Sequence, residues 1–287
     1  TVGDFAAQAV TARLLSAAFP GETLVGEESA EALRKPDAAT ALRTVTGFVE
    51  QLFPDTSQEE VCDWIDQGWG EPCDRYWTLD PIDGTKGFLR GDQYAVAFAL
   101  MEDGQPRVAA MGCPNLTLKT GPRANQKGAV FLATAGEGAF VGGMDSDSPL
   151  ERLQVSPCDH PKEARLLGSY ESGHTNDDQL DRFVESLGSQ AEMVRLDSQA
   201  KYGLLAAGEG ELLIRFLSAS RPDYKEKIWD HAAGSLVVTE AGGTVSDLDG
   251  KPLDFTQGRS LEGNRGVLVS NGSLHERALE AIRSISA

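Results

Sequence analysis

The sequence predicts an α+β first half followed by an α/β second half. In the first half, two pairs of apolar runs flank short polar turns, a pattern typical of antiparallel hairpins. In the second half, helical stretches alternate with short apolar strands, which favours a mostly parallel or mixed sheet. The 287 residues are also long for one hydrophobic core. We therefore expect two closely packed domains, at residues 1–150 and 151–287.

The first half begins with helices and continues with the hairpins. Asp4 is a good helix N-cap before an alanine-rich helix that ends at Pro20. A short strand at 23–25 follows, and then two candidate helices at 41–53 and 58–65. The hairpins are predicted to join 94–101 to 107–111, and 129–133 to 138–141. The small, acidic residues 142–149 predict a surface excursion near the domain boundary.

In the second half, strands and helices alternate up to the C-terminus. The predicted strands cover 166–169, 193–196, 211–216 and 267–270. The predicted helices cover 177–187, 198–207, a stretch from 227 past 241, and the C-terminal segment. Gly242 and Gly243 indicate the end of the third of these helices, because glycine is common just after a helix.

Composition excludes several classes of partner. With 26 basic and 44 acidic residues, the net charge of −18 argues against a nucleic-acid-binding surface and a polybasic membrane patch. No apolar run reaches the length of a membrane span. The four cysteines lack paired spacing, which favours free thiols in a reducing, cytoplasmic compartment. We expect a monomer that acts on a small molecule, and an anionic ligand would need local cations or metal ions.

The most informative stretch runs from Trp77 to Phe88. Residues 77–79 predict a buried strand, and Pro81 removes a backbone donor, so the chain is expected to leave the sheet at Asp80. Asp80 and Asp83 would then share a turn. Gly84 allows close approach of a ligand to the backbone, and a helix that starts at the next residue would point amides at an anion. These features suggest a metal and phosphate site, although Asp-Pro and Asp-Gly also occur in ordinary surface turns.

Other acids stand at the ends of predicted elements. Glu27 follows the strand at 23–25, and Asp230 lies near the start of a helix. Together with Asp4, Asp80 and Asp83 they would suit hard divalent ions, two of which, held about 3.5 to 4 Å apart, promote displacement at phosphorus. The alternatives are simple: Asp4 is only a cap, and Glu27 is a solvated acid.

Three stretches of the sequence resemble a known family. They are Gly26–Ser29 (GEES), Leu79–Thr85 (LDPIDGT) and Trp229–Gly234 (WDHAAG). In this order they resemble the signatures of the inositol-monophosphatase superfamily of magnesium-dependent, lithium-sensitive phosphomonoesterases. Four longer stretches resemble its 3'(2'),5'-bisphosphate nucleotidase branch more narrowly: DPIDGTKGFLRG from Asp80, GCPNL from Gly112, LDSQAKY from Leu196 and EKIWDHAAG from Glu226. The resemblance covers essentially the whole chain.

The resemblance implies a fold and a set of metal ligands. The fold would be a layered α/β/α/β/α sandwich with an antiparallel first sheet and a mixed second sheet. Two to three Mg²⁺ ions would bind between the two halves. The implied ligands are Glu27, Asp80 and the Ile82 carbonyl for the first ion, Asp80, Asp83 and Asp230 for the second, and Asp4 with Glu27 for a third.

The resemblance also implies catalytic and substrate-binding residues. Thr85, hydrogen-bonded to Asp4, would orient and deprotonate the attacking water, and the Gly84 and Thr85 amides would hold phosphate oxygens. The implied contacts to base, ribose and 5'-phosphate are His174, Ser198, Lys201 and Arg215. A lysine and an arginine suit a second phosphate. The alternatives are a surface-loop histidine at 174 and solvated charges at 201 and 215. We interpret His231 as structural, because magnesium rarely selects imidazole.

The implied activity is removal of the 3'-phosphate of adenosine 3',5'-bisphosphate to give AMP. The sulfated analogue, 3'-phosphoadenylyl sulfate, and inositol 1,4-bisphosphate would be side substrates. The alternatives are an inositol mono- or polyphosphate phosphatase and a non-catalytic binder of nucleotide or metal. The family normally has a helical segment before the Gly-Asp pair that corresponds to Gly3 and Asp4. Because the sequence begins at Thr1, we expect that this segment is missing.

Overall fold

The computed structural model describes residues 1–121, 123–145, 147–170, 177–217, 221 and 223–286. The α-helices in this part of the chain are α1 (Val2–Ala18), α2 (Ala39–Glu50), α3 (Gln58–Asp66), α4 (Thr85–Arg90), α5 (Asp177–Leu187), α6 (Ala200–Ala206), α7 (Ala232–Glu240) and α8 (His275–Ser286). The strands are β1 (Thr23–Gly26), β2 (Arg75–Asp83), β3 (Ala95–Glu102), β4 (Gln105–Thr117), β5 (Lys127–Thr134), β6 (Gly138–Gly142), β7 (Glu151–Arg152), β8 (Leu166–Gly168), β9 (Val194–Arg195), β10 (Leu212–Arg215), β11 (Thr244–Ser246) and β12 (Val267–Ser270).

The first sheet has seven strands that lie in chain order from β1 to β7. Its strands are antiparallel except for β1 and β2, which run parallel. Both predicted hairpins are confirmed, as β3 with β4 and β5 with β6. Because β7 pairs with β6, this sheet extends past residue 150. The division of the chain into 1–150 and 151–287 stays a prediction.

The second sheet has five strands in the order β11-β12-β10-β8-β9. Strands β8, β9 and β10 are parallel neighbours, whereas β12 is antiparallel to both β10 and β11. The predicted mixed sheet is therefore confirmed. Strand β11 was not predicted, because its three residues include a threonine and a serine and form no apolar run.

The predicted exit of the chain from the sheet at Asp80 is wrong. Strand β2 continues through Pro81 to Asp83. Its pairing with β1 ends at Leu79, so the missing Pro81 amide breaks no bond on that side. On the other side, the register with β3 shifts between Asp80 and Asp83, and this bulge accommodates the proline.

Two predicted helix starts are also wrong. Helix α1 is capped by the Thr1 hydroxyl, which accepts from the Gly3 amide, so Asp4 lies in the first turn and is not the cap. Helix α7 begins at Ala232 and not at residue 227. The backbone before it is held in an extended form, because Lys227 pairs with Ser260 across an antiparallel bridge.

The packing produces five layers. Apolar residues of α1 pack on one face of the first sheet, and α2 and α3 pack against α1. Helices α6 and α7 lie between the two sheets, in one continuous core that includes residues of both. Helices α5 and α8 cover the far face of the second sheet. The predicted α/β/α/β/α sandwich is confirmed.

We predict that Gly203→Ala destabilises the protein. A Cβ atom at this position in α6 would lie 2.6 Å from the ring of Phe131, which is fully buried in β5. Such overpacking costs about 1 to 3 kcal/mol. The free energy of unfolding in urea checks this. Gly47→Ala in α2 is the matched control, since its Cβ would meet nothing within 4 Å, and it should stabilise the helix by about 0.5 to 1 kcal/mol. Equal effects of the two substitutions would contradict the packing described here.

Candidate active site

A cleft of about 370 Å³ lies where the first sheet meets α6 and α7. Every site residue predicted from the sequence lines it, apart from Asp4 and His174: Glu27, Asp80, Ile82, Asp83, Gly84, Thr85, Ser198, Lys201, Arg215 and Asp230. Asp4 does not line the cleft but contacts the lining residue Thr85. His174 lies outside the described residues, so its role stays a prediction.

Strand direction explains why two of the acids are neighbours. The parallel strands β1 and β2 pair up to Gly26 and Leu79, which face each other at the carboxyl end of the pair. Glu27 follows the end of β1 and Asp80 is the next residue of β2, so both acids lie at this carboxyl end of the parallel pair. Asp230 reaches the cleft from the segment that precedes α7.

The negative charges of the acids in the cleft are poorly compensated by other groups of the protein. Asp80 is only 2% exposed, and its Oδ1 atom is buried with no hydrogen-bond partner among the described residues. Burial and then the charge of Asp83 raise the pKa of Asp80 well above its ordinary value. Desolvation in the cleft and the charge of Asp230 raise the pKa of Glu27 to about 8. A divalent cation fits such a set, because it supplies the missing partner for carboxylate oxygens.

Asp230 has a more mixed environment. Desolvation and the charge of Asp83 raise its pKa to about 6, although Arg215 opposes the rise. Ligand atoms of Asp230, Glu226 and His231 lie within 4.8 Å of one another. His231 is fully buried, and both of its ring nitrogens are engaged, with the Tyr202 hydroxyl at 2.7 Å and the Glu226 carboxylate at 3.0 Å. These contacts fit the structural role expected for His231.

Thr85 lies between two acceptors. Its Oγ1 atom is 3.1 Å from the Ile82 carbonyl oxygen and 3.4 Å from Asp4 Oδ1. Asp4 is 2% exposed. The Thr85 hydroxyl can donate to either acceptor. When it donates to Asp4, its oxygen lone pairs can accept a hydrogen bond from a water molecule.

The turn before Thr85 requires glycine. Gly84 has a φ of 83°, in the left-handed region that glycine adopts at little cost. A Cβ atom at Gly84 would also lie 2.9 Å from the Cβ atom of Ser198. The backbones of the two segments therefore pack closely at this point of the cleft.

The structure reveals two glutamines that sequence analysis did not single out. Gln8 of α1 is fully buried and forms bonds to both backbone groups of Glu28, with its Nε2 2.7 Å from the carbonyl oxygen and its Oε1 3.0 Å from the amide. Gln199 donates from its backbone amide to Asp83 and from Nε2 to the Trp229 carbonyl at 2.9 Å. The signal for Gln8 was its place on the apolar stripe of α1.

A buried lysine and a partly buried arginine border the acids. The Nζ atom of Lys201 donates to the Leu196 carbonyl at 3.1 Å, and burial lowers the pKa of Lys201 to about 8. The Arg215 guanidinium lies 2.9 Å from the Glu226 carboxylate, while its buried Nε has no hydrogen-bond partner in the part of the chain that the structure describes. Both cations lie where they could contact an anion in the cleft.

Two further features concern the cysteines and the helices. All four cysteines are free thiols. Among the residues described here, no helix combines the length and the apolar character needed to span a membrane.

Comparison with known proteins identifies similar chains. The model of the Inositol monophosphatase family matches residues 1–287. A 3'(2'),5'-bisphosphate nucleotidase of Oryza sativa is 42% identical over 99% of this chain and 83% of its own length. The corresponding nucleotidase of Schizosaccharomyces pombe is 40% identical over 100% of this chain and 84% of its own length. In fold, the chain resembles an IMPase/NADP phosphatase complexed with Mg²⁺ and phosphate, with a TM-score of 0.61 and 19% identity over 97% of this chain and 80% of that one.

We predict that the metal-free protein loses stability as the pH rises towards 8. The pKa values of Asp80, Glu27 and Asp230 are all raised in the folded state. The folded state therefore binds more protons than the unfolded state between the ordinary carboxyl pKa and about 8, so stability decreases with pH across this window. Melting temperatures in EDTA from pH 5 to about 8 check the prediction.

A matched pair of substitutions tests whether repulsion among the acids of the cleft causes this loss of stability. Asp80→Asn should raise the melting temperature in EDTA at about pH 8, because it removes one of the repelling charges. Asp249→Asn makes the same change at an acid whose pKa is lowered by a hydrogen bond from Arg265, so it should give no gain. A pH-independent melting temperature, or equal effects of both substitutions, would contradict the electrostatic description of the cleft.

Proposed function

This chain belongs to the inositol monophosphatase family, and on that premise we propose that it is a magnesium-dependent phosphatase acting on adenosine 3',5'-bisphosphate. It removes the 3'-phosphate and releases AMP and phosphate. The observation that supports this most strongly is the convergence of Glu27, Asp80, Asp83 and Asp230 in one cleft beside the Thr85 and Asp4 pair. The choice of a nucleotide as substrate is supported by the sequence identity of 42% and 40% to the nucleotidases of Oryza sativa and Schizosaccharomyces pombe.

The acids of the cleft are the proposed magnesium ligands. Glu27, Asp80 and the Ile82 carbonyl hold one ion, and Asp80 with Asp83 and Asp230 holds a second. Asp4 and Glu27 contribute to a third, weaker site. When bound, magnesium neutralises charge on the phosphate and lowers the pKa of coordinated water.

Thr85 and Asp4 activate the attacking water in this proposal. Thr85 donates its hydroxyl proton to Asp4 and accepts a proton from the water, whose oxygen then attacks the phosphorus. The bond between phosphorus and the ribose 3'-oxygen breaks, and that oxygen takes a proton from solvent. The Gly84 and Thr85 amides at the start of α4 donate to the phosphate oxygens. The burial of Asp4 and the 3.4 Å distance from its Oδ1 atom to the Thr85 hydroxyl oxygen support its role as the proton acceptor.

Lys201 and Arg215 are the proposed ligands of the second, non-reacting phosphate. Lys201 has three N–H donors, of which the Leu196 carbonyl takes one. Arg215 offers its Nε donor, since its other contact is to Glu226. Ser198 and His174 are proposed contacts to the ribose and base. A monomeric state, a cytoplasmic location and activity on 3'-phosphoadenylyl sulfate and inositol 1,4-bisphosphate belong to the same proposal.

Hydrolysis assays test the proposed reaction. With magnesium, kcat/KM for adenosine 3',5'-bisphosphate should exceed that for inositol 1-phosphate by about tenfold or more, because only the nucleotide uses the contacts to the second phosphate and the base. EDTA should abolish both activities. Asp83→Asn should lower kcat on the order of a hundredfold, while its amide oxygen still accepts from the Gln199 amide. Faster hydrolysis of inositol 1-phosphate would contradict the proposal.

Lys201→Met should separate nucleotide recognition from catalysis. It removes the ammonium but keeps the stem volume, so KM for adenosine 3',5'-bisphosphate should rise about tenfold to a hundredfold, the value of a charge-assisted hydrogen bond. With 3'-AMP, which lacks the 5'-phosphate, KM should change little. Lys225→Met is the matched control, because Lys225 contacts the Glu262 and Asn264 carbonyls and lies outside the cleft lining. An equal loss on both substrates would assign Lys201 to the reacting phosphate or to the fold.

A further inference from the structure

Arg259 lies between two indole rings. Its guanidinium carbon is 5.4 Å from the centre of the Trp69 ring and 5.0 Å from that of the Trp229 ring. A guanidinium over an aromatic face is held by the charge distribution of the ring. Trp229 directly precedes Asp230, so one of these contacts reaches the segment that provides a proposed magnesium ligand.

The same guanidinium binds three backbone carbonyls. It donates to Gly70 at 3.0 Å, to Gly68 at 3.4 Å and to Gly26. Gly26 is the last residue of β1 and directly precedes Glu27. The segment around Gly68 in turn pairs with β1, since the Gly26 amide donates to the Gly68 carbonyl at 2.8 Å. The side chain of Arg259 therefore holds the backbone immediately before Glu27.

The main chain at Arg259 pairs with the other side of the cleft. Its carbonyl accepts from the Ile228 amide at 3.3 Å, and the Leu261 amide donates to the Glu226 carbonyl at 2.9 Å. This extended pairing leads directly into Asp230. One residue is thus bonded through its side chain to the Glu27 segment and through its backbone to the Asp230 segment.

We propose that Arg259 is a positioning residue of the metal site, which sets the spacing between Glu27 and Asp230 without contacting metal or substrate. The identity of the metal rests on the proposed function above. Glu27 and Asp230 carry like charges in one cleft, so without a cation they repel each other. A link outside the cleft opposes their separation and leaves their oxygens available to magnesium.

The side chain at 259 has to be arginine for this role. A guanidinium presents five donors in a planar fork and can stack on rings while it binds several carbonyls, whereas an ammonium is a compact point charge. Lysine would keep the charge but could not satisfy three carbonyls from a stacked position. The test therefore uses Arg259→Lys, which alters the geometry and not the net charge.

The experiment is a magnesium titration without substrate. Calorimetry and the rise in melting temperature with magnesium should both show a dissociation constant increased on the order of tenfold in Arg259→Lys, the usual scale for partners that orient metal ligands. At saturating magnesium, KM for adenosine 3',5'-bisphosphate should stay near the wild-type value. Arg265→Lys is the matched control, since Arg265 is exposed and pairs with Asp249, and its magnesium affinity should not change.

A second variant distinguishes a specific effect on magnesium binding from a general loss of folding. Trp69→Leu removes one stacking face and leaves the carbonyl bonds, and Trp69 is 55% exposed, so the fold should survive. It should weaken magnesium binding by less than Arg259→Lys does. Wild-type magnesium affinity in Arg259→Lys, or an equal loss in Arg265→Lys, would overturn the proposal. A wild-type protein that binds magnesium but does not hydrolyse the nucleotide would overturn only the proposed function, since the titration is made without substrate.

Discussion

The repulsion among carboxylates in one cleft is the constraint on which the rest of the site depends. Asp80 is buried with an oxygen that has no partner among the described residues, and Asp83 and Glu27 add their negative charges nearby. Burying a charge in this way is unfavourable unless a partner compensates it. The protein therefore needs both a cation to neutralise the acids and a framework that keeps them together before the cation arrives.

The framework consists of contacts to the backbone. Gln8 binds the main chain of Glu28, Gln199 binds the carbonyl of Trp229, and Arg259 binds the carbonyl of Gly26. Each side chain therefore contacts the backbone of a residue adjacent to a proposed ligand, and the Gln199 backbone amide also donates to the Asp83 carboxylate. These three residues come from α1, from the turn before α6 and from the segment between β11 and β12, so elements from both ends of the chain support one small site.

Local patterns predicted the two hairpins of the first sheet and the order of the main helices, because hairpins and alternating elements depend on neighbouring residues. The resemblance to a family predicted the acids of the cleft. Long-range contacts were not predictable in this way. The continuation of β2 through Pro81 depends on where β1 ends, and the start of α7 depends on a bridge from Lys227 to Ser260. Arg259 had no local signal, since the three carbonyls that its guanidinium binds are about two hundred residues away in the sequence.

The layer of α6 and α7 has a consequence for how the molecule can move. Both sheets contribute to a single apolar core around these helices. A hinge between two domains needs an interface that can separate without exposing such a core. The two sheets of this chain share one apolar core, so rotation of one sheet away from the other would expose that core and does not widen the cleft. Selectivity among ligands then depends on the side chains that line the described part of the cleft.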